Sequence, residues 1–252
     1  MIDVNEASGR RKLLLLGAAA YFLFVLLSFP AHLAVAWFMP DHLTTNAVSG
    51  TIWSGRAATI RSPHITLTDV RWRARPLALL TARLSYLLNI KIGDGAIQTV
   101  ASVSIDQKTR LKELSGVVPL SALRGIAQLS TFDGRIGLDL DDLLVVDQWI
   151  TDAHGSVDLV SLSLTVPITE ALGNYELIFD GASDAVLEGR FREVDAPLAA
   201  SGTLALHADR NWELSGTVKP TAATSRQLSQ ALTFLGSRQA DGSYPISAQG
   251  RN

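Results

Sequence analysis

From Leu13 to Met39 the chain reads LLLLGAAAYFLFVLLSFPAHLAVAWFM, without one Asp, Glu, Lys or Arg. Backbone amides in hydrocarbon have no water to bond, so a single segment of this kind is forced into a helix. At ~1.5 Å per residue the run is long enough for a ~30 Å hydrocarbon core. It predicts a transmembrane helix over 13–39. Arg10, Arg11 and Lys12 precede it and Asp41 and His42 follow it. This asymmetry keeps 1–12 as a short tail in the cytoplasm and carries 41–252 across the membrane. Trp37 stands where an interfacial aromatic belongs, and Pro30 either kinks the helix or marks its exit from the bilayer. A cleaved signal peptide is the competing reading, because Ala34-Val35-Ala36 is an A-x-A site, although the apolar run exceeds the usual ~7–15 residues. Both readings export the rest of the chain. His32, close to Pro30, reads as an interfacial residue.

Beyond Met39 the pattern changes to short alternating segments. Ile136, Leu138 and Leu140 alternate, as do Leu162, Leu164 and Val166, then Tyr175, Leu177 and Phe179, then Leu204 and Leu206. A period of two with polar partners is the mark of strands that bury one face. Serines and threonines (Thr66, Thr68, Ser161, Ser163, Thr165) supply a wet outer face without charge, which suits antiparallel meanders. Glycine leads many segments, as in SGTIWSG (49–55), DGRIGLDL (133–140), SGTLAL (201–206) and SGTVKP (215–220), and reads as strand openings or bulges. Apolar parity slips between Leu67 and Val70, and again between Leu159 and Val160. A one-residue slip would turn core side chains outward unless a bulge absorbs it, so bent, twisted strands follow.

Three short helices are expected: 76–88, with Leu77, Leu80, Leu84 and Leu87 at helical spacing; 119–126, led by Pro119; and 225–236, with Leu228, Ala231, Leu232 and Leu235 in a stripe ended by Gly236. No linker divides the exported part, so it reads as one curved, mostly antiparallel β domain. The fold class is mainly β, an N-terminal transmembrane helix followed by that domain.

The search for chemistry returns little. Cysteine is absent, which removes disulfides, thiolate metal sites and cysteine nucleophiles. The 22 Lys+Arg against 24 Asp+Glu give no basic field for nucleic acid. The five histidines lack ligand spacing, and no nucleophile elbow, Walker A or G-x-G-x-x-G occurs. Asp139, Asp141, Asp142 and Asp147 lack the order of a calcium loop and read as a charged strand edge. Arg71, Arg73 and Arg75 alternate onto one strand face, either solvated or beside phospholipid headgroups. Trp53, Trp72, Trp149 and Trp212 read as core. The expectation is a protein without enzymatic activity, cofactor or metal.

The order of features resembles the type II secretion system protein N family. The residues that carry the resemblance are the basic-flanked span; AVSGTIWSGRA (47–57) with Gly50, Trp53 and Gly55; LTDVRWRARPLALLTARL (67–84) with Trp72; LSGVVPLSAL (114–123); FDGRIGLDLDDL (132–143); HGSVDLVSLSL (154–164); LGNYELIF (172–179) with Gly173 and Tyr175; GTLALHADRNWELSGTVKP (202–220) with Gly216; and LTFLGSRQADGSYPISAQG (232–250) with Gly236, Gly242 and Tyr244. The resemblance implies a single-pass inner-membrane protein with a periplasmic domain. It further implies an accessory role in export of folded proteins, with inner-membrane platform proteins and the outer-membrane secretin as contacts, and no catalytic residues. In general character the exported domain is also similar to AsmA-like proteins, in which a curved sheet offers an apolar groove to lipid chains. Under that alternative the inner Leu, Val and Ile side chains contact acyl chains.

Overall fold

In the computed structural model the alternation is realised as thirteen strands in one antiparallel sheet whose spatial order follows the chain, β1 to β13, with no crossover. The structure describes residues 4–39, 43–63, 65–76, 83–104, 106, 108–123, 125, 129–166, 169–233 and 237–251. Two helices, α1 (Val4–Leu27) and α2 (Ala31–Phe38), precede β1 (Thr44–Gly50), β2 (Ser54–Arg61) and β3 (Thr66–Ala74). The meander continues through β4 (Arg83–Ile92), β5 (Gly95–Ser104), β6 (Thr109–Pro119), β7 (Phe132–Val146), β8 (Trp149–Leu164) and β9 (Glu170–Ser183). It ends with β10 (Val186–Asp195), β11 (Leu198–His207), β12 (Asn211–Pro220), α3 (Arg226–Leu232) and β13 (Tyr244–Arg251).

The register places most apolar side chains on one face, with Leu87 and Val100 opposite each other on the other. Trp72, Leu88, Thr99 and their neighbours stand opposite one another on β3, β4 and β5; Leu114 faces Leu140 across β6 and β7; Val157 faces Leu177 across β8 and β9. Arg71, Asn89, Gln98, Ser115 and Asp139 follow on the opposite face. Thr99 is the one buried hydroxyl on the inner side in this stretch, and it donates to the Lys112 carbonyl at 3.0 Å.

The core has two parts. Leu114, Leu140, Leu143, Ala153, Phe179 and Leu187 form a cluster over β6 to β10, and Leu187 is only 1% exposed. Leu198, Ala200, Val218 and Tyr244 form a second beneath Leu228 and Leu232 of α3. A flat sheet would hold β8 and β11, three strand steps apart, about 14 Å from each other. Their Cα atoms approach within 8 Å, so the sheet curls over its apolar face there. Trp149 Nε1 donates to the His207 carbonyl at 2.8 Å, and Arg210 Nη2 to the Asp147 carbonyl at 3.2 Å, fastening the β7–β8 turn to the β11–β12 turn.

Both parity slips are bulges. The β3–β4 register shifts between Thr68 and Arg71, with Asp69 at φ +47°, and the β8–β9 register shifts between Leu159 and Leu162, with Ser161 at φ +52°. The amide freed at Ser161 donates to Asn174 Oδ1 at 2.7 Å.

Several expectations are corrected. The apolar run 13–39 is two helices: α1 ends at Leu27 and Pro30 caps α2. Among the described residues no helix is long and apolar enough to cross a membrane. The helix expected over 76–88 is strand from Arg83 on. Leu84, Tyr86, Leu88 and Ile90 form a period-two set that pairs residue by residue with β5, and the leucines fitted both periods. Residues 77–82 lie outside the described set. Among the described residues of 119–126, Leu120–Leu123 form a 3-10 turn. The C-terminal helix is present with Ser225 as its cap, accepting from Leu228 N–H at 3.0 Å, while Gly236 lies outside the described residues. Asp139, Asp141 and Asp142 are not on an edge, since β7 pairs with β6 and β8.

Candidate functional surface

The family-motif residues near the N-terminus gather where the helices meet the sheet. Gly50 has φ +94°, open to glycine, and a Cβ there would lie 2.5 Å from the Ser54 carbonyl oxygen. The chain can therefore turn from β1 into Thr51–Trp53 and back into β2. That turn is bonded to the helices: Pro30 forms a bridge with Thr51, Ile52 N–H donates to the Phe29 carbonyl at 3.1 Å, and Trp53 Nε1 donates to the Leu26 carbonyl at 2.8 Å. Trp72 Nε1 reaches the Thr51 carbonyl at 3.1 Å from β3. Leu26 belongs to the last turn of α1, whose final carbonyls have no helical partner. The Leu26 carbonyl accepts the indole N–H of Trp53 at 2.8 Å and, more weakly, the Phe29 N–H at 3.4 Å.

Gly55 serves a different purpose from Gly50. A Cβ on it would stand 2.5 Å from the Trp72 ring, so its missing side chain is the seat of that ring. The arrangement recurs: Gly189 against Phe179, Gly202 and Gly216 against Phe191, Gly250 against Trp212. Tyr175, with Phe191 against the second core cluster, has its hydroxyl pushed up to about 12 by burial and then by Glu193. Gly173 at φ +92° precedes Tyr175 on β9, and Gly242 at φ +85° precedes buried Tyr244. The motif residues are thus turn formers and ring seats spread along the sheet; Gly50, Trp53, Gly55 and Trp72 come together at the N-terminal junction, and Tyr175, Gly216 and Tyr244 gather around the second core cluster. Of the topology residues, Arg10, Arg11 and Lys12 lie in α1. Trp37 in α2 is 66% exposed, its ring 5.8 Å from that of Phe29.

At this junction the two faces of the sheet differ. On the inner side, Ala31, Ala34 and Val35 of α2 with Ile52, Trp72, Tyr86 and Leu88 line an open apolar cavity of about 300 Å³. Beyond it on the same face the cross-strand pair Leu84 and Val103 is exposed. On the outer side a polar trough of about 590 Å³ is lined by Arg56, Arg71, Arg73, Ser54 and Asn89. It adjoins a second, of about 610 Å³, that shares Arg71 and Asn89 and adds Asp69 and Lys91. Arg71 donates to both oxygens of Asp69 at 3.0 and 2.9 Å, and Lys91 stands 3.4 Å from it. Arg71's hydrogen bond holds the Asp69 carboxyl below the usual range. Arg71 and Arg73 share the outer face as their alternation predicted; Arg75 follows the end of β3, its amide donating to Ser85. Arg56, directly across from Arg71, gave no sequence signal, because only the register brings it there.

No grouping of three or more metal-binding side chains occurs among the described residues. Asp142 instead pairs with Arg110 at 3.2 Å. His42 and His64 lie outside the described residues.

Comparison with known proteins is decisive for the lineage. The family model described as type II secretion system (T2SS), protein N matches residues 41–247. Among curated proteins, type II secretion system protein N of Aeromonas hydrophila is 25% identical over 241 residues, covering 92% of this chain and 94% of that protein. The protein of the same name from Vibrio cholerae serotype O1 is 23% identical over 246 residues, covering 90% and 92%. No solved structure matches the chain.

Proposed function

The chain belongs to the type II secretion system protein N family, and on that premise we propose that it is an accessory inner-membrane component of a type II secretion system. Its N-terminal apolar segment anchors it, its β-sheet domain stands in the periplasm, and it supports export of folded proteins through contacts with inner-membrane platform proteins and the secretin. The observation that carries the reading is the junction at Trp53 and Leu26, which makes helix and sheet one mechanical unit. A domain fastened to its anchor can hold a partner at a fixed height above the bilayer. The apolar part of α1, Leu13–Leu27, spans about 22 Å, less than the ~30 Å core. Local thinning of the bilayer makes up the difference. The role needs no catalytic residue.

The test is to tag the C-terminus, solubilise native membranes mildly and identify what is isolated. Platform proteins in fixed proportion support the reading; their absence contradicts it.

One observation favours a second reading, that of a lipid-binding groove. The inner face is apolar along the whole meander, α3 covers only its last strands, and the cavity beneath α2 opens beside exposed Leu84 and Val103. Phospholipid isolated with the tagged protein, without platform proteins, would select it.

A further inference from the structure

We propose that the outer trough over β2 and β3 seats the anionic phosphate of a phospholipid headgroup in the leaflet facing the domain. The inference rests on the anchored reading given above.

Charge is the first argument. Arg56 and Arg71 stand directly opposite one another in the β2–β3 register, and Arg73 follows two residues on, opposite Ser54. Like charges directly across an antiparallel pair are destabilising unless something neutralises them. Asp69 is the only carboxylate lining the two troughs, and it is already shared by Arg71 and Lys91. Among the described residues no ion pair joins Arg56 or Arg73. Four cations against one carboxylate leave a surface that an anion completes.

Position is the second. Trp53 is bonded to the last turn of α1, and Arg56 lies three strand residues beyond it, about 10 Å along the chain at ~3.3 Å each. Arg73 pairs with Ser54, nearer still. Both arginines therefore lie on the end of the sheet that is fastened to the last turn of α1. Shape is the third. The Ser54 and Asn89 positions give the trough neutral polar walls, and its volume fits a headgroup rather than a folded partner. A basic side chain at such a surface contributes about 1 kcal/mol, a factor of about five.

The chain contains no cysteine, so a single introduced thiol reports one place. The full chain is put into nanodiscs of phosphatidylcholine alone or with phosphatidylglycerol. A fluorophore is attached at Asn89→Cys in the trough, or at Glu188→Cys on the outer face of β10, and is quenched with neutral acrylamide. The proposal predicts that the Asn89 label is shielded in the anionic discs and not in the neutral ones, and that the Glu188 label is indifferent. Arg56→Gln and Arg73→Gln should each weaken the shielding about fivefold. Equal quenching in both discs, or shielding that survives the double substitution, overturns it. Shielding produced in neutral discs by inorganic phosphate alone would mean a free-anion site, and shielding only on adding platform proteins would mean an acidic protein partner; either overturns the headgroup assignment. A chain that fails to remain in discs refutes the anchored reading itself, a different outcome from a retained chain that ignores lipid charge.

Discussion

Trp149, the first residue of β8, donates its indole N–H to the backbone carbonyl of His207, the last residue of β11, across 2.8 Å. The two strands are three apart in the sheet, and this bond helps close the curl over the larger core cluster. Trp149→Phe keeps most of the ring and deletes the donor. A loss of about 1 kcal/mol in stability by denaturant titration is expected. No change would mean that core packing alone sets the curl.

Gly50 and Gly55 should respond differently to substitution. At Gly50 the backbone itself, at φ +94°, resists any side chain, so Gly50→Ala and Gly50→Val should both destabilise. At Gly55 a Cβ would meet the Trp72 ring at 2.5 Å and the Ser49 carbonyl oxygen at 2.6 Å, so Gly55→Val should cost about 1–3 kcal/mol by overpacking, and removing the ring relieves only part of it. Combining Gly55→Val with Trp72→Ala should cost less than the two single changes added together. Additive costs in that double mutant would show that the ring does not occupy the glycine's space.

Asp158 is held above the usual carboxylate range by its burial, then by Glu176 directly across on β9, then by Asp139. A raised folded-state value means that the folded protein binds the proton more tightly than the unfolded chain does. Stability therefore falls as pH rises from the ordinary value of 3.8 through the raised one, and the penalty is complete at neutral pH. Asp158→Asn should raise the melting temperature at pH 7 and lose that advantage below pH 3.8. A variant no more stable at pH 7 would show that the Arg192–Glu176 pair already neutralises the cluster.

Topology follows from a single cysteine. Asp184 is exposed in the β9–β10 turn, whereas Ser243, otherwise an obvious choice near the C-terminus, is 3% exposed and unsuitable. In intact spheroplasts Asp184→Cys should react with an impermeant maleimide and Ser8→Cys should not. The opposite labelling would reverse the orientation.

The meander and its bulges were legible because period-two alternation and its slips are local: Leu67 to Val70 and Leu159 to Val160 each told of an extra residue before any partner strand was known. The leucines of 76–88 misled because Leu84 and Leu88, four apart, suit a helix as well as a strand. Only the ten-residue pairing of β4 with β5 decides between them. Gly189, Gly202 and Gly250 could not be read as ring seats, since the rings they receive come from other strands. Arg56 escaped notice for the same reason. What depends on register is silent in a single sequence, and the trough and the Trp53–Leu26 junction both depend on it.

The most direct measurement of the central claim is secretion in a strain lacking this chain, with and without the wild-type gene restored. The account predicts that folded type II substrates accumulate in the periplasm and that the restored gene returns them to the medium. Unchanged secretion of every substrate would contradict it.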